Sequence, residues 1–248
     1  MKRPLKKSNM GGFVSGHDFS RADKLFTSHG SRLQPATRNG EIGFSRRPLK
    51  AVGVTQRVSV VPDYGERRDC LDQAWTKFLF ACDLLPVLLP NVTDAALALC
   101  ERSNIAGLVL TGGNDLATLG GDAPERDEVE NRLLDFAEQR DLPILGVCRG
   151  MQVVQQRFAV PLCRIEGHVT PSQVIAIAGE KAEVNSYHSW GTFESRSPLD
   201  VWAVADDGVI KAIRYPARRI TAIMWHPERC TPFRPADLQL FREVFGVE

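Results

Sequence analysis

The residues best able to do chemistry are a cysteine between two glycines and, far along the chain, a histidine two residues ahead of a glutamate. The first sits in Ile144-Leu145-Gly146-Val147-Cys148-Arg149-Gly150-Met151-Gln152, where an apolar run passes into Gly-x-Cys-x-Gly and then into a helix-forming stretch. A tight turn from strand to helix needs small residues where neighbouring backbone approaches, and it holds its central residue in a strained conformation at the helix N-terminus. The dipole and free N–H groups there favour the thiolate, the reactive form of cysteine. The second segment is Ile223-Met224-Trp225-His226-Pro227-Glu228. In extended chain, residues i and i+2 point the same way, so Glu228 can accept the Nδ1–H of His226 and leave Nε2 to take the cysteine proton. Pro227 is expected to keep the intervening backbone extended. Cys148 as nucleophile, His226 as base and Glu228 as its orienter would perform nucleophilic acyl transfer.

Such a reaction needs donors for an oxyanion. The N–H of Arg149 is one candidate. The loop Thr111-Gly112-Gly113-Asn114-Asp115, which follows the buried run Ile105–Leu110, offers a second through Gly113, with Gly112 close behind. Each feature also has a plain structural reading: a buried cysteine in a glycine-bounded turn, a strand-end histidine beside a surface glutamate, an ordinary tight loop. Their co-occurrence favours the chemical one. Cys70, Cys82, Cys100, Cys163 and Cys230 read as small buried or half-buried residues. No Cys/His spacing suits zinc, and no metal or organic cofactor is implied.

The elements that must position these groups can be read from hydrophobic pattern. Ala51–Thr55, Pro86–Leu89, Ile105–Leu110 and Pro143–Val147 are continuous apolar runs, the pattern of strands buried on both faces. Between them, Arg67–Cys82 reads as an amphipathic helix with Leu71, Trp75, Phe78 and Leu79 on one face. Thr93 reads as the N-cap of a helix through Glu101. Asp127-x-x-Glu130 reads as a capping box opening a helix to Arg140, and Arg149–Phe158 as the helix after the elbow. The last third differs. Ala182–Val184, Val201–Ala205, Val209–Arg214 and Ile220–Trp225 read as consecutive strands, followed by a helix from about Ala236 to Phe245. The fold class is α/β: an open mixed, mostly parallel sheet with helices on both faces. Met151, Trp75 and Trp225 are expected in the core.

The chain has 248 residues and a formal net charge of +1, unevenly spread. Residues 1–50 hold eleven Lys and Arg against three Asp and Glu, and the remainder is acidic. Residues 1–48 lack any apolar period and read as a disordered leader, with 49–248 as the folded domain. A nucleic-acid-binding arm, an organelle transit peptide, an extension without a role and a start at Met10 all remain open for the leader, the last two being favoured. No apolar run approaches a membrane span and no secretory signal is present, so the sequence predicts a cytoplasmic protein with no membrane or nucleic-acid partner.

The Gly-Gly loop, the elbow cysteine and the His-x-Glu pair, in that order, resemble those of the class I glutamine amidotransferases over about residues 51–248. Within that superfamily, Cys148-Arg149-Gly150-Met151-Gln152, Arg126-Asp127 and Val184-Asn185-Ser186-Tyr187-His188 resemble the γ-glutamyl hydrolases, such as those acting on γ-glutamyl-γ-aminobutyrate. Thr55-Gln56-Arg57, Tyr64-x-Glu66, the Leu71/Trp75 helix, Thr111–Asp115 and Met224-Trp225-His226-Pro227-Glu228-Arg229 resemble the γ-glutamyl-CDP-amidate hydrolases of capsule phosphoramidate synthesis. The resemblance implies a γ-glutamyl thioester and a small γ-glutamyl substrate, contacted by Gln152 and by the backbone of Ser186, Tyr187 and His188. Asp115 and Arg126-Asp127 are candidates to brace the oxyanion loop, although Asp127 reads equally as a helix cap. Arg149 either adds charge near the leaving group or faces solvent. His188 reads as a structural or substrate-contacting residue. His168 either lines the leaving-group pocket or is a solvated loop residue. A free-standing hydrolase is the leading expectation, since the chain ends about twenty residues after Glu228. A glutaminase that passes ammonia to a separate synthetase, and a binding protein with a dead site, are the alternatives. The leaving group, a homodimer and a synthetase partner stay open.

Overall fold

A computed structural model describes residues 49–247; the expectations for the basic leader lie outside them. In chain order the elements are β1 (Lys50–Thr55), β2 (Arg57–Val60), β3 (Arg67–Cys70), α1 (Gln73–Ala81), β4 (Leu84–Leu89), α2 (Thr93–Arg102), β5 (Leu108–Leu110), α3 (Pro124–Gln139), β6 (Ile144–Val147), α4 (Arg149–Arg157), β7 (Cys163–Arg164), β8 (Val169–Ile177), β9 (Glu180–Tyr187), β10 (Trp190–Gly191), β11 (Asp200–Ala205), β12 (Ile210–Tyr215), β13 (Ile220–Ile223) and α5 (Pro235–Phe245). Nine strands form one open mixed sheet in the order β4-β1-β5-β6-β13-β12-β11-β8-β9. Pairing is parallel from β4 through β13 and antiparallel from there to β9.

The parallel half dictates where a site can form. From β1 the chain moves through α1 to β4 on one side, then returns through α2 to β5 on the other. Right-handed crossovers in opposite directions put their helices on opposite faces, and the crevice at the carboxyl ends opens where the direction reverses. α1 and α5 meet in an aromatic cluster of Trp75, Phe78 and Phe241, with Phe78 and Phe241 edge to face at 4.7 Å. α3 packs between α2 and α4. The central strands β5 and β6 are wholly buried, as continuous Leu, Val and Ile runs require. Met151, Trp75 and Trp225 are buried in this core.

Several sequence expectations need correction. Arg67–Cys70 is not helical: it pairs antiparallel with β2, and the helix begins only at Gln73, where Asp72 accepts the Ala74 N–H at 2.9 Å. The apolar period that suggested a longer helix is real from Trp75 onward. Thr93 is the first residue of α2 and not its cap, and its hydroxyl reaches Glu128 at 3.1 Å. α3 starts at Pro124, so Asp127 and Glu130 lie inside it and do not form a capping box. Their carboxylates are engaged elsewhere, as described below. β8, with Pro171 and all but one of its residues exposed or half-buried, carries too weak an alternation to be read from sequence. Cys163 is exposed, against expectation. Among the described residues no helix is long and apolar enough to cross a membrane.

Candidate active site

The loops that leave the carboxyl ends of the adjacent strands β5, β6 and β13 carry Gly113, Cys148, Arg149, His226 and Glu228, while Gln152 lies in α4 and Ser186, Tyr187 and His188 come from the end of β9. The strand register sets Gly146 beside Leu110 and Val147 beside Ile223, so Thr111, Cys148 and Met224 emerge side by side. Two residues later the β13 chain delivers His226.

Cys148 occupies a sharp elbow with φ 54° and ψ −105°, a backbone region costly for any residue with a Cβ. It is held there by its own N–H, donated to Ile223 O at 2.8 Å, and by its carbonyl, which accepts from Met151 and Gln152. The flanking glycines permit this. A Cβ on Gly150 would overlap the Leu110 carbonyl, and one on Gly146 would sit 2.7 Å from the Gly150 backbone. The side chain of Cys148 is nearly buried and points to the cleft, with Sγ 4.0 Å from Tyr187 O.

His226 is buried against the same wall. A Cβ added to Gly112 would lie 2.6 Å from His226 Cε1 and 3.5 Å from both His226 Nε2 and Cys148 Cβ, so the imidazole and the thiol share the space above Gly112. His226 Nδ1 lies 2.7 Å from Glu228 Oε1, and both residues are about 2% exposed. Pro227 does not keep this segment extended. Pro227–Arg229 form a single 3₁₀ turn, which swings Glu228 back under the ring. Burial opposes charge on His226, yet the Cys148 sulfur and the Glu228 carboxylate outweigh it and push the pKa up to about 9. The imidazole is therefore poised as an imidazolium beside the sulfur.

Asn185, which enters the sequence reading only as part of a motif, fixes this histidine. Its side chain accepts the His226 N–H at 2.8 Å and donates to the His226 carbonyl at 2.7 Å, all buried. Asn185→Ala leaves both backbone groups unpaired. It should cost about 2 kcal/mol of stability, measurable by urea unfolding.

The Thr111–Asn114 loop is clamped from behind by one buried guanidinium. Arg126 donates to the carbonyls of Thr111 (2.8 Å), Gly112 (3.1 Å) and Gly113 (3.0 Å), and through Nε to Glu130 at 3.0 Å. With those carbonyls drawn toward Arg126, the N–H of Gly113 (φ +91°) has no partner among the described residues, and neither does that of Arg149. Asn114 completes the clamp by pairing with the Val58 backbone in both directions. Asp115 does not brace the loop through its carboxylate, which faces the Trp190 indole N–H at 3.3 Å.

The Arg149 side chain takes neither of the roles expected of it. It is buried and ion-paired with Glu130 and Asp127, and Asp127 also accepts the Ala117 N–H at 2.7 Å. Burial opposes ionisation of Glu130, but Arg149 and Arg126 overcome this and hold its carboxyl below the usual carboxylate range. Glu130 thus joins the two candidate oxyanion donors: Arg149 directly, and Gly113 through Arg126.

Gln152, Tyr187, His188 and Ser189 line a cleft of about 320 Å³ with Cys148, Arg149 and Gly113. The Gln152 side chain is committed to Trp190 O at 3.1 Å. Ser186 and His188 are likewise tied inward: both contact the buried Lys211 Nζ, at 3.0 and 2.7 Å, and His188 Nδ1 faces Trp190 O. Burial first, and then the Lys211 charge, lower the His188 pKa to about 3, so the imidazole is neutral and accepts from Lys211. Burial also lowers Lys211 to about 7. His168 is buried against Asp207 and Gln173, not solvated and outside the cleft lining. Nothing in the local pattern marks Lys211, since a lysine in a strand is ordinarily a solvent-facing residue.

The Peptidase C26 family model matches residues 50–160 and 164–228. The chain is 29% identical over 199 residues to the gamma-glutamyl-CDP-amidate hydrolase of Campylobacter jejuni, covering 79% of this chain and 98% of that one. It is 25% identical to a glutamine-hydrolyzing GMP synthase subunit of Methanococcus aeolicus, over 64% of this chain and 84% of the relative. Its fold matches a glutamine amidotransferase from Thermotoga maritima (TM-score 0.56, 12% identity, 79% and 84% coverage). It also matches the glutaminase domain of Trypanosoma brucei CTPS with bound acivicin (0.58, 12%, 81% and 95%).

Proposed function

Because the chain belongs to the peptidase C26 family, amidohydrolases of the class I glutamine amidotransferase type, we propose that it hydrolyses γ-glutamyl amide-type bonds through a thioester on Cys148, and that residues 49–248 form the hydrolase domain. Cys148 Sγ attacks the γ-carbonyl, and the oxyanion is received by the Gly113 and Arg149 N–H groups. The His226 imidazolium passes its Nε2 proton to the departing nitrogen, and the C–N bond breaks. Water then attacks the thioester as His226 takes its proton, and glutamate leaves with the thiolate restored. Glu228 keeps the imidazole in the tautomer that makes this exchange at Nε2.

The observation that carries this reading is the convergence of a strained elbow cysteine, a carboxylate-oriented histidine and two unpartnered N–H groups on one wall. The finer reading is a γ-glutamyl-CDP-amidate substrate. It is supported by the relative of that name, which this chain matches over nearly that relative's whole length. The similarity to a GMP synthase component supports a second reading, a glutaminase that serves a separate synthetase. Incubating the chain alone with γ-glutamyl amides separates the two. Prompt glutamate release favours the free-standing hydrolase, and release only after a synthetase is added favours the synthetase-linked glutaminase.

The pH dependence follows from His226. A histidine raised to about 9 holds its acid proton through neutral pH and loses it as pH rises through that value. The rate of acylation should therefore fall above pH about 9. Glu228→Gln removes a stabiliser of the imidazolium and should move this limb to lower pH, as read from kcat/KM profiles.

A further inference from the structure

A second, narrow pocket of about 30 Å³, room for little more than one water molecule, adjoins the reacting groups. It shares Gly113 with the γ-glutamyl cleft but adds His226, Gly112 and two arginines, Arg57 and Arg229. We propose that the leaving group departs over the mouth of this pocket, and that Arg57 and Arg229 in its wall bind an oxyanion carried on it. The inference rests on the γ-glutamyl transfer reading above.

The direction of departure follows from the reaction geometry. The acyl carbon must sit on Cys148 Sγ with its oxygen toward Gly113 and Arg149. The γ-glutamyl chain then runs along the cleft walled by Gln152 and Tyr187. The leaving nitrogen must lie within reach of His226 Nε2, its proton donor. Whatever that nitrogen carries extends past His226 and Gly112, toward the arginines in the wall of the second pocket.

Of the two cations, Arg57 is unpaired among the described residues and Arg229 is partly engaged. The Arg57 side chain passes over the oxyanion loop, its Cδ 2.9 Å from where a Cβ on Gly113 would stand. It is exposed, and its guanidinium has no hydrogen-bond or ion-pair partner among the described residues. Arg229 is stacked on Tyr187, with Cζ 4.9 Å from the ring centroid, and its Nε is 3.6 Å from Glu228 Oε1. The lining also holds two carboxylates: Asp72 caps α1 through Oδ1, and Glu228 takes the His226 ring through Oε1 while its buried Oε2 has no partner among the described residues. Guanidinium forks match the oxygens of phosphoryl and carboxylate groups, and both classes of leaving group fit this chemistry.

The test compares three substrates: γ-glutamyl p-nitroanilide, whose leaving group is neutral, N-γ-glutamyl phosphoramidate and γ-glutamyl-γ-aminobutyrate. In Arg57→Ala and Arg229→Ala, the ratio of kcat/KM for an anionic substrate to that for the anilide should fall on the order of 10- to 100-fold. Arg57→Lys, which keeps the charge without the fork, should fall between. The anionic substrate whose ratio collapses identifies the oxyanion as phosphoryl or carboxylate. Unchanged ratios for both, with an active wild-type chain, overturn the subsite while leaving the hydrolase standing. A wild-type chain inert toward all three removes the hydrolase reading and this one with it.

Discussion

Replacing Cys148 by Ala should lower γ-glutamyl amide hydrolysis by about four orders of magnitude or more while leaving the fold intact. The size follows from the loss of the group that forms the acyl bond; removal of a nucleophile that acts as one unit with its base forfeits nearly all the rate it supplied. Retention of the fold follows from the site itself. The elbow is held by main-chain bonds, with the Cys148 N–H on Ile223 O and the carbonyl on the first turn of α4, and none of these involves the sulfur. Alanine adopts φ 54° no more easily than cysteine, so the elbow's strain is unchanged. The checks are glutamate release and thermal unfolding on the same preparation. A variant that loses activity and unfolds early would show that the cysteine serves structure.

Glu130→Leu should damage stability and rate together. Glu130 is fully buried between Arg126 and Arg149, and neither guanidinium can reach solvent. Removing one member of a buried ionic set leaves the others uncompensated, which costs about 3–5 kcal/mol. Asp127 remains on Arg149 and tempers the loss there. Burial already lowers the Arg126 pKa to about 10, with Glu130 the main opposing influence, so the variant should lower it further. The loop carrying Gly113 hangs from Arg126 by its carbonyls and should lose its alignment. Loss of one oxyanion donor lowers kcat by about 10²- to 10³-fold. Glu130→Gln preserves the shape and one acceptor oxygen, so it should fall between wild type and Leu in both urea midpoint and kcat. Iodoacetamide labelling of Cys148 in the Gln variant should stay near wild type, since alkylation needs no oxyanion hole.

What could be read from sequence divides along a physical line. The central strands were legible because burial on both faces writes a continuous apolar run, as in Ile144–Val147. The Gly-x-Cys-x-Gly elbow was legible because backbone crowding against Leu110 leaves no room for a Cβ. The proximity of His226 to Glu228 was expected, but for the wrong local reason: a 3₁₀ turn joins them, and a proline after a strand permits either geometry. Asp127 and Glu130 carried the polar signature of a helix start, while their carboxylates answer to Arg149 and Arg126, with Glu130 nineteen residues from Arg149. The Arg126–Glu130 pair, four residues apart on one helix, is local, but the pairing with Arg149 leaves no trace in local pattern. Lys211 and Asn185 escaped for the same reason, since their partners lie on other strands and loops.

The thioester is the point on which the chemistry turns. Rapid acid quenching of the chain during turnover of a γ-glutamyl amide, followed by peptide mass spectrometry, should reveal one γ-glutamyl group on the peptide containing Cys148. The adduct should accumulate in slow-deacylating variants and be absent from Cys148→Ala. Turnover with no adduct at Cys148, or with the acyl group on another cysteine such as Cys70 or Cys230, would contradict it.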